Sequence, residues 1–504
     1  MRFISILSTA LSAFLCSPTI VQAAPTKELE GSISIANGEL LTLSYRTSDP
    51  FSTNWIALYP ASAGPTNNEK PDSAALSWKY APSANGTIRL DVETVPPGEY
   101  LACFLAREGY SLLAKPASVT IKAPPSPFVF IVDNITLRNA RQGDSYQAKI
   151  SGLINNYKNS AVAYQIISSA DWVQLSRDGV ITGIPKVASD TTVVIRATSS
   201  DKSTSNLRIT IPVRKAGTPL VPELRVMTFN LWLGGTQVKD SHTKQVRFIA
   251  STNADIIGMQ DTSGGHPKRL ADALGWYYWQ PSRGNIGAIS RYPIVQEYGT
   301  VGTSGGVRIS LDGENSQVNF WTMHLEWTPY GPYDFCFKNM TVAQVLQREQ
   351  ESTRATHMDS ILKAMSGQLA DSKTPVFLVG DTNAPSHLDW TEALRKKNCG
   401  YSGVMWPTSV KPKEAGMIDS FRAAHPDPAA VPGTTWSPLH PLNDEGGIAG
   451  QPEPQDRIDF IYHKGDIKVL ESKVLVVGKP EPFGNHKNNE WTSDHAAVLS
   501  VFKL

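Results

Sequence analysis

The sequence predicts two β-sandwiches followed by a larger α/β domain. Before about residue 215, short runs of β-branched and aromatic residues alternate with clusters of Pro, Gly and Asn, which is typical of antiparallel sheets. After Gly217-Thr218-Pro219, apolar strands alternate with segments of helical spacing, which is typical of an α/β domain. The length of 504 residues, 41% of them hydrophobic, is enough for two to four domains with their own cores.

The charge balance names no partner. The formal net charge is +1, from 47 Lys and Arg against 46 Asp and Glu. Proteins that grip a long nucleic-acid backbone electrostatically are more often basic. The composition is therefore weak evidence against such a partner.

The first 23 residues are typical of a secretory signal peptide. Arg2 supplies a short positive region, an apolar run extends from Phe3 to Cys16, and Val21-Gln22-Ala23 fits a cleavage site. The apolar run is shorter than the roughly 18 residues of a membrane span, so a signal anchor is the less favoured alternative. We expect a signal peptide at residues 1–23 and an extracellular protein.

Secretion would place the other cysteines in an oxidising compartment. We predict a disulfide between Cys336 and Cys399, which both lie in the C-terminal part, and a buried free thiol at Cys103, whose neighbours are apolar. Three N-x-S/T sequons predict glycosylation at Asn85, Asn134 and Asn339.

The first predicted sandwich spans residues 25–122. Its motifs at residues 54–59, 78–80 and 97–100 resemble the SKICH-like immunoglobulin sandwiches found beside some phosphoesterases. Trp55 falls within these motifs, and we expect it to be buried in the sandwich, a ligand platform being the less favoured alternative.

The second predicted sandwich spans residues 128–215, after a proline-rich linker at residues 123–127. Its segment at residues 172–185 resembles the immunoglobulin-like or cadherin-like modules that serve as spacers in secreted proteins. We expect Trp172 to be buried as well.

The α/β part carries six polar clusters at the ends of apolar runs, and one readable helix from Thr341 to about Leu369. The clusters lie at residues 228–232, 255–261, 321–325, 376–385, 456–462 and 493–498. Each strand would deliver one or two carboxylate, amide or imidazole groups to a common rim.

This set of groups suits attack on a phosphate ester. Asn230, Asp261 and Asp494 are hard oxygen ligands for Mg²⁺, with Mn²⁺ or Ca²⁺ as alternatives. Bound there, the ion would neutralise phosphoryl oxygens and stabilise the leaving oxygen.

The remaining polar groups have acid–base and hydrogen-bonding roles in this interpretation. Asp381 would orient or deprotonate the attacking water, and Asn383 would donate to a phosphoryl oxygen. His324 and His495 would stabilise the developing charge or protonate the leaving group. An acidic partner, Asp459 or failing that Asp456, would fix the tautomer of His495.

An aromatic loop follows His324. Its side chains could stack on a base, a sugar or a head group, and packing is an equal alternative. The candidates for substrate binding are Trp327, Tyr330 and Tyr333.

Taken in order, the six clusters resemble those of the endonuclease/exonuclease/phosphatase (DNase I-like) superfamily, over a domain that we assign to residues 221–504. The resemblance implies a four-layered α/β sandwich with two central sheets, and metal-dependent hydrolysis of phosphoesters. One position departs from the family pattern, which usually has Glu where this chain has Asp261. Because Asp is one methylene shorter, we expect reduced metal affinity with catalysis retained.

The substrate is poorly defined by the sequence. Residues 378–385 and 453–459 lack the signatures of the inositide phosphatases, which argues against that class. We expect a secreted, Mg²⁺-dependent phosphodiesterase acting on nucleic acid or a phospholipid head group. A phosphomonoesterase, and a binding or adhesion protein with a decayed site, stay open as alternatives.

Overall fold

The computed structural model describes residues 30–37, 41–65, 69–71, 73–92, 95–121, 128–155, 161–262, 264–371, 373–443 and 447–504. The predicted signal peptide and the proline-rich linker at residues 123–127 lie outside the described residues. No helix in these ranges is both long and apolar enough to cross a membrane.

The first sandwich consists of two sheets, with strand orders β1-β2-β5 and β4-β3-β6-β7. Its strands are β1 (Ser32–Asn37), β2 (Thr42–Arg46), β3 (Trp55–Pro60), β4 (Ser77–Tyr80), β5 (Asn85–Arg89), β6 (Gly98–Leu105) and β7 (Ala117–Ile121). Leu43, Ile56 and Phe104 are fully buried in one cluster that joins the two sheets. Burial of these apolar side chains is the main stabilising contribution to a small sandwich.

The second sandwich is built on a four-stranded sheet, β13-β16-β17-β9, and a three-stranded sheet, β11-β15-β14. Its strands are β8 (Val129–Phe130), β9 (Asn134–Thr136), β10 (Ala140–Arg141), β11 (Tyr146–Lys149), β12 (Ile154–Asn155), β13 (Val162–Ser168), β14 (Val173–Leu175), β15 (Val180–Gly183), β16 (Thr191–Ser199), β17 (Thr204–Ile211) and β18 (Val213–Arg214). Every second residue of β16 is buried, including Val193 and Ile195, as the period of two in a strand requires.

The α/β part contains two six-stranded sheets, with strand orders β21-β22-β20-β19-β30-β29 and β23-β24-β25-β26-β28-β27. Its elements are β19 (Glu223–Asn230), α1 (Ser241–Thr252), β20 (Ile256–Gln260), α2 (His266–Leu274), β21 (Tyr277–Trp279), β22 (Ile286–Ser290), β23 (Ile294–Val301), β24 (Ser304–Ser310), β25 (Gln317–His324), α3 (Gly331–Cys336), α4 (Val342–Glu351), α5 (Arg354–Ala370), β26 (Val376–Asp381), α6 (Pro407–Glu414), β27 (Ile418–Asp419), α7 (Ser420–Ala424), β28 (Asp459–Lys464), β29 (Lys468–Leu475) and β30 (Ala497–Lys503).

The two sheets pack face to face through a shared apolar core that includes Val226, Phe320 and Phe377. Helices α1 and α2 bury residues such as Phe248 against the outer face of the first sheet. Helix α5 buries Met358 and neighbouring residues against the outer face of the second. These four layers match the α/β sandwich that the sequence predicts.

The single helix predicted from Thr341 to about Leu369 is wrong in one respect, because the structure divides it into α4 and α5. Thr353 adopts a left-handed backbone conformation with φ 68°, which interrupts the helix. Arg354 is the first residue of the second helix. Its guanidinium forms an ion pair with Glu349 of the first helix, and both side chains are buried. This ion pair holds the two helices together across the break.

The positions of the cysteines agree with the predicted disulfide, and the sequon asparagines are accessible for glycosylation. Cys336 and Cys399 form a disulfide with their Cα atoms 5.2 Å apart, and Cys103 is a buried free thiol. The asparagines of all three sequons, Asn85, Asn134 and Asn339, are exposed.

The second sandwich packs on the helical layer of the α/β part. Buried residues from both, such as Leu207 and Leu270, belong to one continuous apolar cluster. Gly152 lies so close to α2 that a Cβ atom there would come within 2.1 Å of the Asp272 carbonyl oxygen. The α1 and α2 layer is therefore enclosed between a sheet and a sandwich.

This close approach predicts the effect of two matched substitutions. Gly152→Ala should lower the free energy of unfolding by about 1–3 kcal/mol, because backbone atoms of α2 must move to admit the methyl group. Gly367→Ala, on an exposed part of α5 with open space around it, should be neutral or stabilise by up to about 1 kcal/mol. Urea unfolding of the full chain measures both, and equal effects would contradict the proposed packing.

Candidate active site

Three neighbouring strands of the second sheet bring three of the predicted residues into one row. β25 pairs in parallel with β26, so that His324 lies opposite Asp381. β26 pairs antiparallel with β28, so that Asp381 lies opposite Asp459. The predicted convergence of strand ends therefore follows from the register of this sheet.

The first sheet delivers its groups to the same place. Asn230 is the last residue of β19, and its amide nitrogen donates to the Asp381 carboxylate of the other sheet at 2.9 Å. The Ser493 hydroxyl donates to the Asn230 carbonyl oxygen at 2.6 Å and accepts from the His495 backbone N–H at 3.0 Å. The bond from Asn230 to Asp381 ties the two sheets together, and those of Ser493 hold His495 beside the end of β19.

His495 lies between two buried carboxylates. Its Nδ1 is 2.9 Å from Asp459 Oδ2, and its Nε2 is 3.6 Å from Asp381 Oδ2. Burial alone lowers the pKa of His495, but Asp459 and Asp381 outweigh it and raise the pKa to about 10. The two carboxylates therefore favour the protonated form of His495.

Asp459 is thus the partner of His495, and the fallback Asp456 is not. Asp456 instead accepts hydrogen bonds from the Tyr330 hydroxyl at 3.0 Å and from the Trp390 indole N–H at 3.1 Å. Its carboxylate supports the packing beside the site.

His324 is half-buried, with Nε2 at 3.6 Å from Asp381 Oδ2. Its Nδ1 lies 2.9 Å from the amide nitrogen of Asn285, a residue that the sequence interpretation missed. Asn285 directly precedes β22 and its carbonyl accepts from the Thr262 backbone N–H at 2.9 Å. A lone Asn before a strand is too common a pattern to have identified it.

Asn383 adopts a left-handed conformation with φ 48°, which its residue type tolerates. Its backbone N–H donates to Asp381 Oδ1 at 2.8 Å, and its side-chain amide donates to the Leu325 carbonyl oxygen at 3.0 Å. An amide group has two hydrogens, so this bond leaves one for a ligand.

One of the predicted metal ligands has an oxygen that is free to bind a cation. Asp494 Oδ1 is buried and has no hydrogen-bond partner within the described part of the chain. Burial raises the pKa of Asp494 to about 7, with His495 lowering it and Asp261 raising it further. An unpaired buried carboxylate oxygen beside a second carboxylate is a poor arrangement without a cation and a good one with it.

A second group of potential ligands includes His495. Ligand atoms of Asp381, Asp459 and His495 all lie within 4.8 Å of one another. His495 and Asp459 are hydrogen-bonded to each other, however, and a protonated imidazole cannot ligate a metal. Asp459 Oδ1, like Asp494 Oδ1, is buried without a hydrogen-bond partner among the described residues, so each group contains a carboxylate oxygen open to a cation.

These groups open into a cavity of about 700 Å³. From the α/β part it is lined by Asn230, Trp232, Asp261, Thr262, Asn285, His324, Trp327, Asp381, Asn383, Trp436, Asp494 and His495. Trp436 was also missed by the sequence interpretation, and its ring packs 5.0 Å from that of His495. Asp459 lies behind His495 and is buried.

Of the three aromatic residues predicted to bind substrate, the structure brings Trp327 to this cavity, where its side chain is 62% exposed. Tyr330 and Tyr333 are not among the lining residues, and their hydroxyls donate to Asp456 and Glu453. These two tyrosines therefore pack within the protein, which was the alternative to substrate binding.

Comparison with known proteins gives a consistent assignment. Residues 227–495 match the model of the Endonuclease/Exonuclease/phosphatase family. An uncharacterised Caenorhabditis elegans protein, F14F9.5, is 31% identical over 293 residues, which cover 55% of this chain and 91% of that protein.

Solved structures with similarity to 56% of the chain include Danio rerio TDP2 in complex with a single-strand DNA product, at 14% identity, TM-score 0.37 and 99% of that chain. Others are a mannosyl-6-phosphatase of Bacteroides thetaiotaomicron, at 13% identity, TM-score 0.35 and 100% of that chain, and the human nocturnin catalytic domain, at 15% identity, TM-score 0.36 and 96% of that chain. The match to the family model covers more than half of the 504 residues and includes both histidines of the site. The chain belongs to the Endonuclease/Exonuclease/phosphatase family.

Proposed function

We propose that the protein is a secreted, divalent-metal-dependent hydrolase of phosphodiester bonds, with water as the nucleophile. The observation that carries this proposal is the buried row of Asp459, His495 and Asp381 at the floor of a cavity that also holds the unpaired Asp494 oxygen. Secretion is supported by the signal-like N-terminal sequence, the disulfide and the exposed sequons.

Asn230, Asp261 and Asp494 would hold Mg²⁺, with Mn²⁺ or Ca²⁺ as alternatives. Bound there, the ion would supply positive charge that neutralises the phosphoryl oxygens. Asp261 already accepts the Leu233 backbone N–H at 2.6 Å through Oδ2, which fixes the orientation of its short side chain.

Asp381 is positioned to accept the proton of the attacking water. Burial raises its pKa, His495 opposes this, and Asp459 adds to it, so that the carboxylate is a stronger base than an ordinary Asp. The hydrogen bonds from Asn230 and from the Asn383 backbone hold its two oxygens in place.

Two histidines and an amide would face the phosphate. His495, charged and fixed by Asp459, would donate from Nε2 to the phosphoryl oxygen or the leaving oxygen. His324, held by Asn285, would donate from the other side, and Asn383 has one amide hydrogen left for the same task. Asp459 is a positioning residue, because it acts through His495.

The charge of the cavity favours a diester over a monoester. Lys70 is the one lysine or arginine among the described residues that line it, so little fixed positive charge is available for a second phosphoryl charge. A phosphodiester carries one negative charge, whereas a monoester carries close to two at neutral pH. Nucleic acid and phospholipid head groups, the two substrates expected from the sequence, both present diesters.

Metal dependence can be tested with bis-p-nitrophenyl phosphate. EDTA should abolish its hydrolysis and Mg²⁺ should restore it, because the phosphoryl charge is otherwise uncompensated. Asp494→Asn should raise the Mg²⁺ concentration for half-maximal rate by about 10-fold or more. Asp466→Asn, at an exposed turn outside the cavity, serves as the control and should leave it unchanged. Full activity of the wild type in EDTA would contradict the metal site.

The positioning role of Asp459 predicts a different signature. Asp459→Asn should lower kcat by about 100-fold or more, since the imidazole loses its charged partner, while the Mg²⁺ requirement stays near that of the wild type. Asp456→Asn, beside the site but not bonded to His495, should retain most of kcat. A folded, metal-binding wild type that hydrolyses neither diesters nor monoesters would instead indicate a binding protein with a decayed site.

A further inference from the structure

The first sandwich forms one wall of the active-site cavity. Besides residues of the α/β part, the cavity is lined by Trp55, Tyr59, Lys70, Trp78, Tyr80 and Tyr110. The sandwich touches the α/β part elsewhere too. Lys487 pairs with Asp91 at 2.9 Å, and a Cβ atom at Gly264 would lie 3.2 Å from the Pro60 ring.

Four of these side chains form a continuous surface, which we call the aromatic wall: Trp55, Trp78, Tyr80 and Tyr110. Trp55 packs edge-on against Trp78 and Tyr110, each at 6.0 Å between ring centroids, and Trp78 packs against Tyr80 at 5.2 Å. At these separations the rings touch one another, so that no group fits between them. A ligand would have to lie on the wall.

The expectation that Trp55 is buried holds in part, because its ring packs against the buried cluster of Ala57, Tyr59, Cys103 and Leu105 and also lines the cavity. Its ring is only half-buried and faces the cavity, while its indole N–H donates to the Gly109 carbonyl oxygen at 3.1 Å. Trp172 of the second sandwich is half-buried as well; it packs at the edge of an apolar core and donates to the Thr191 hydroxyl at 3.1 Å. The alternation of apolar and polar residues predicts strands at or beside both tryptophans, but it does not show which other segments cover their rings.

Two side chains of the aromatic wall are largely exposed. Trp78 and Tyr80 are 49% and 45% exposed, and both point at the cavity that contains the candidate catalytic groups. Large aromatic side chains gathered on one exposed surface mark binding sites in soluble proteins. Trp327, from the α/β part, adds a further exposed ring to the same cavity.

The cavity is unsuited to a long polyanion. Lys70 is the one lysine or arginine among its described lining residues, whereas gripping a nucleic-acid backbone takes several. A volume of about 700 Å³ lies within the range of small-molecule sites. The substrate that fits is a small ester or the end of a chain.

We propose that the aromatic wall is a substrate-binding subsite that stacks an aromatic ring carried by one ester group of a small phosphodiester. This inference rests on the proposed function, because the phosphorus would be held by the residues around Asp381 and His495. The exposed Trp78 ring would supply the stacking surface, and the hydroxyl of Tyr80, which donates to Glu108, fixes the neighbouring ring. A nucleobase and a simple aryl group present the same ring chemistry.

The first test is hydrolysis of bis-p-nitrophenyl phosphate, which has an aromatic ring on either side of the phosphorus. Trp78→Ala should lower kcat/KM by about 5- to 100-fold, mainly through KM, as expected for the loss of one stacking contact. Trp78→Phe, which retains a ring, should recover part of the loss. Phe51→Ala, an exposed aromatic of the same sandwich outside the cavity, should have no effect.

The source of the ring is decided by two further esters, methyl p-nitrophenyl phosphate and p-nitrophenyl thymidine 5′-phosphate. If Trp78→Ala impairs only the second, the wall stacks the base; if it impairs both equally, the wall stacks the leaving aryl group. Unchanged kcat/KM for all three diesters in Trp78→Ala would overturn the proposal.

Binding separates this proposal from the proposed function. Calorimetry with adenosine 5′-monophosphate and ribose 5-phosphate requires no turnover, and the two probes differ only in the base. The wild type should bind the nucleotide more tightly, and Trp78→Ala should remove most of that difference. Phenyl phosphate and methyl phosphate serve as a second pair for the case in which the wall stacks an aryl group. Equal binding within both pairs by the wild type would overturn the aromatic wall even if hydrolysis were absent.

Discussion

The site depends on the burial of one positive charge, that of His495, between the carboxylates of Asp459 and Asp381. Taking any of these groups out of water alone would be costly, and the attraction between His495 and the two carboxylates offsets part of that cost. Asp381 gains further stabilisation from the Asn230 amide and the Asn383 backbone N–H, which each donate to one of its oxygens. Asp381 and Asp459 come from one sheet and His495 and Asn230 from the other, so the packing of the two sheets fixes the geometry.

The two N-terminal sandwiches have different relations to this framework. The second shares a continuous apolar cluster with the helical layer, which makes it part of the support of the first sheet. The first instead presents aromatic rings across the cavity from the candidate catalytic groups. One sandwich thus stabilises the scaffold, and the other shapes the space where a ligand would bind.

The sequence predicts much of the site because strand ends carry strong local signals. Asp381 after a buried strand and Asp494-His495 before another are visible without a structure, and the registers then place them together. The sequence cannot show contacts between distant segments. Asn285 becomes a partner of His324 only when β22 is placed, and the aromatic wall faces the site only when the sandwich is docked.

The break between α4 and α5 has a similar explanation. The apolar spacing continues through it, but the left-handed Thr353 and the buried pairing of Arg354 with Glu349 override the periodicity. Tyr330 and Tyr333 follow the same logic, because nothing in the loop reveals that Asp456 and Glu453 take their hydroxyls.

The central claim is that the oxygen set of Asn230, Asp261 and Asp494 is completed by a divalent cation while His495 stays paired with Asp459. Anomalous diffraction from a crystal of the protein grown with Mn²⁺ tests this most directly. The account predicts an anomalous peak within about 2.5 Å of Asp494 and Asp261 oxygens, with the His495–Asp459 hydrogen bond intact. A peak between Asp381 and Asp459 with His495 turned away, or no peak near any of these residues, would contradict it.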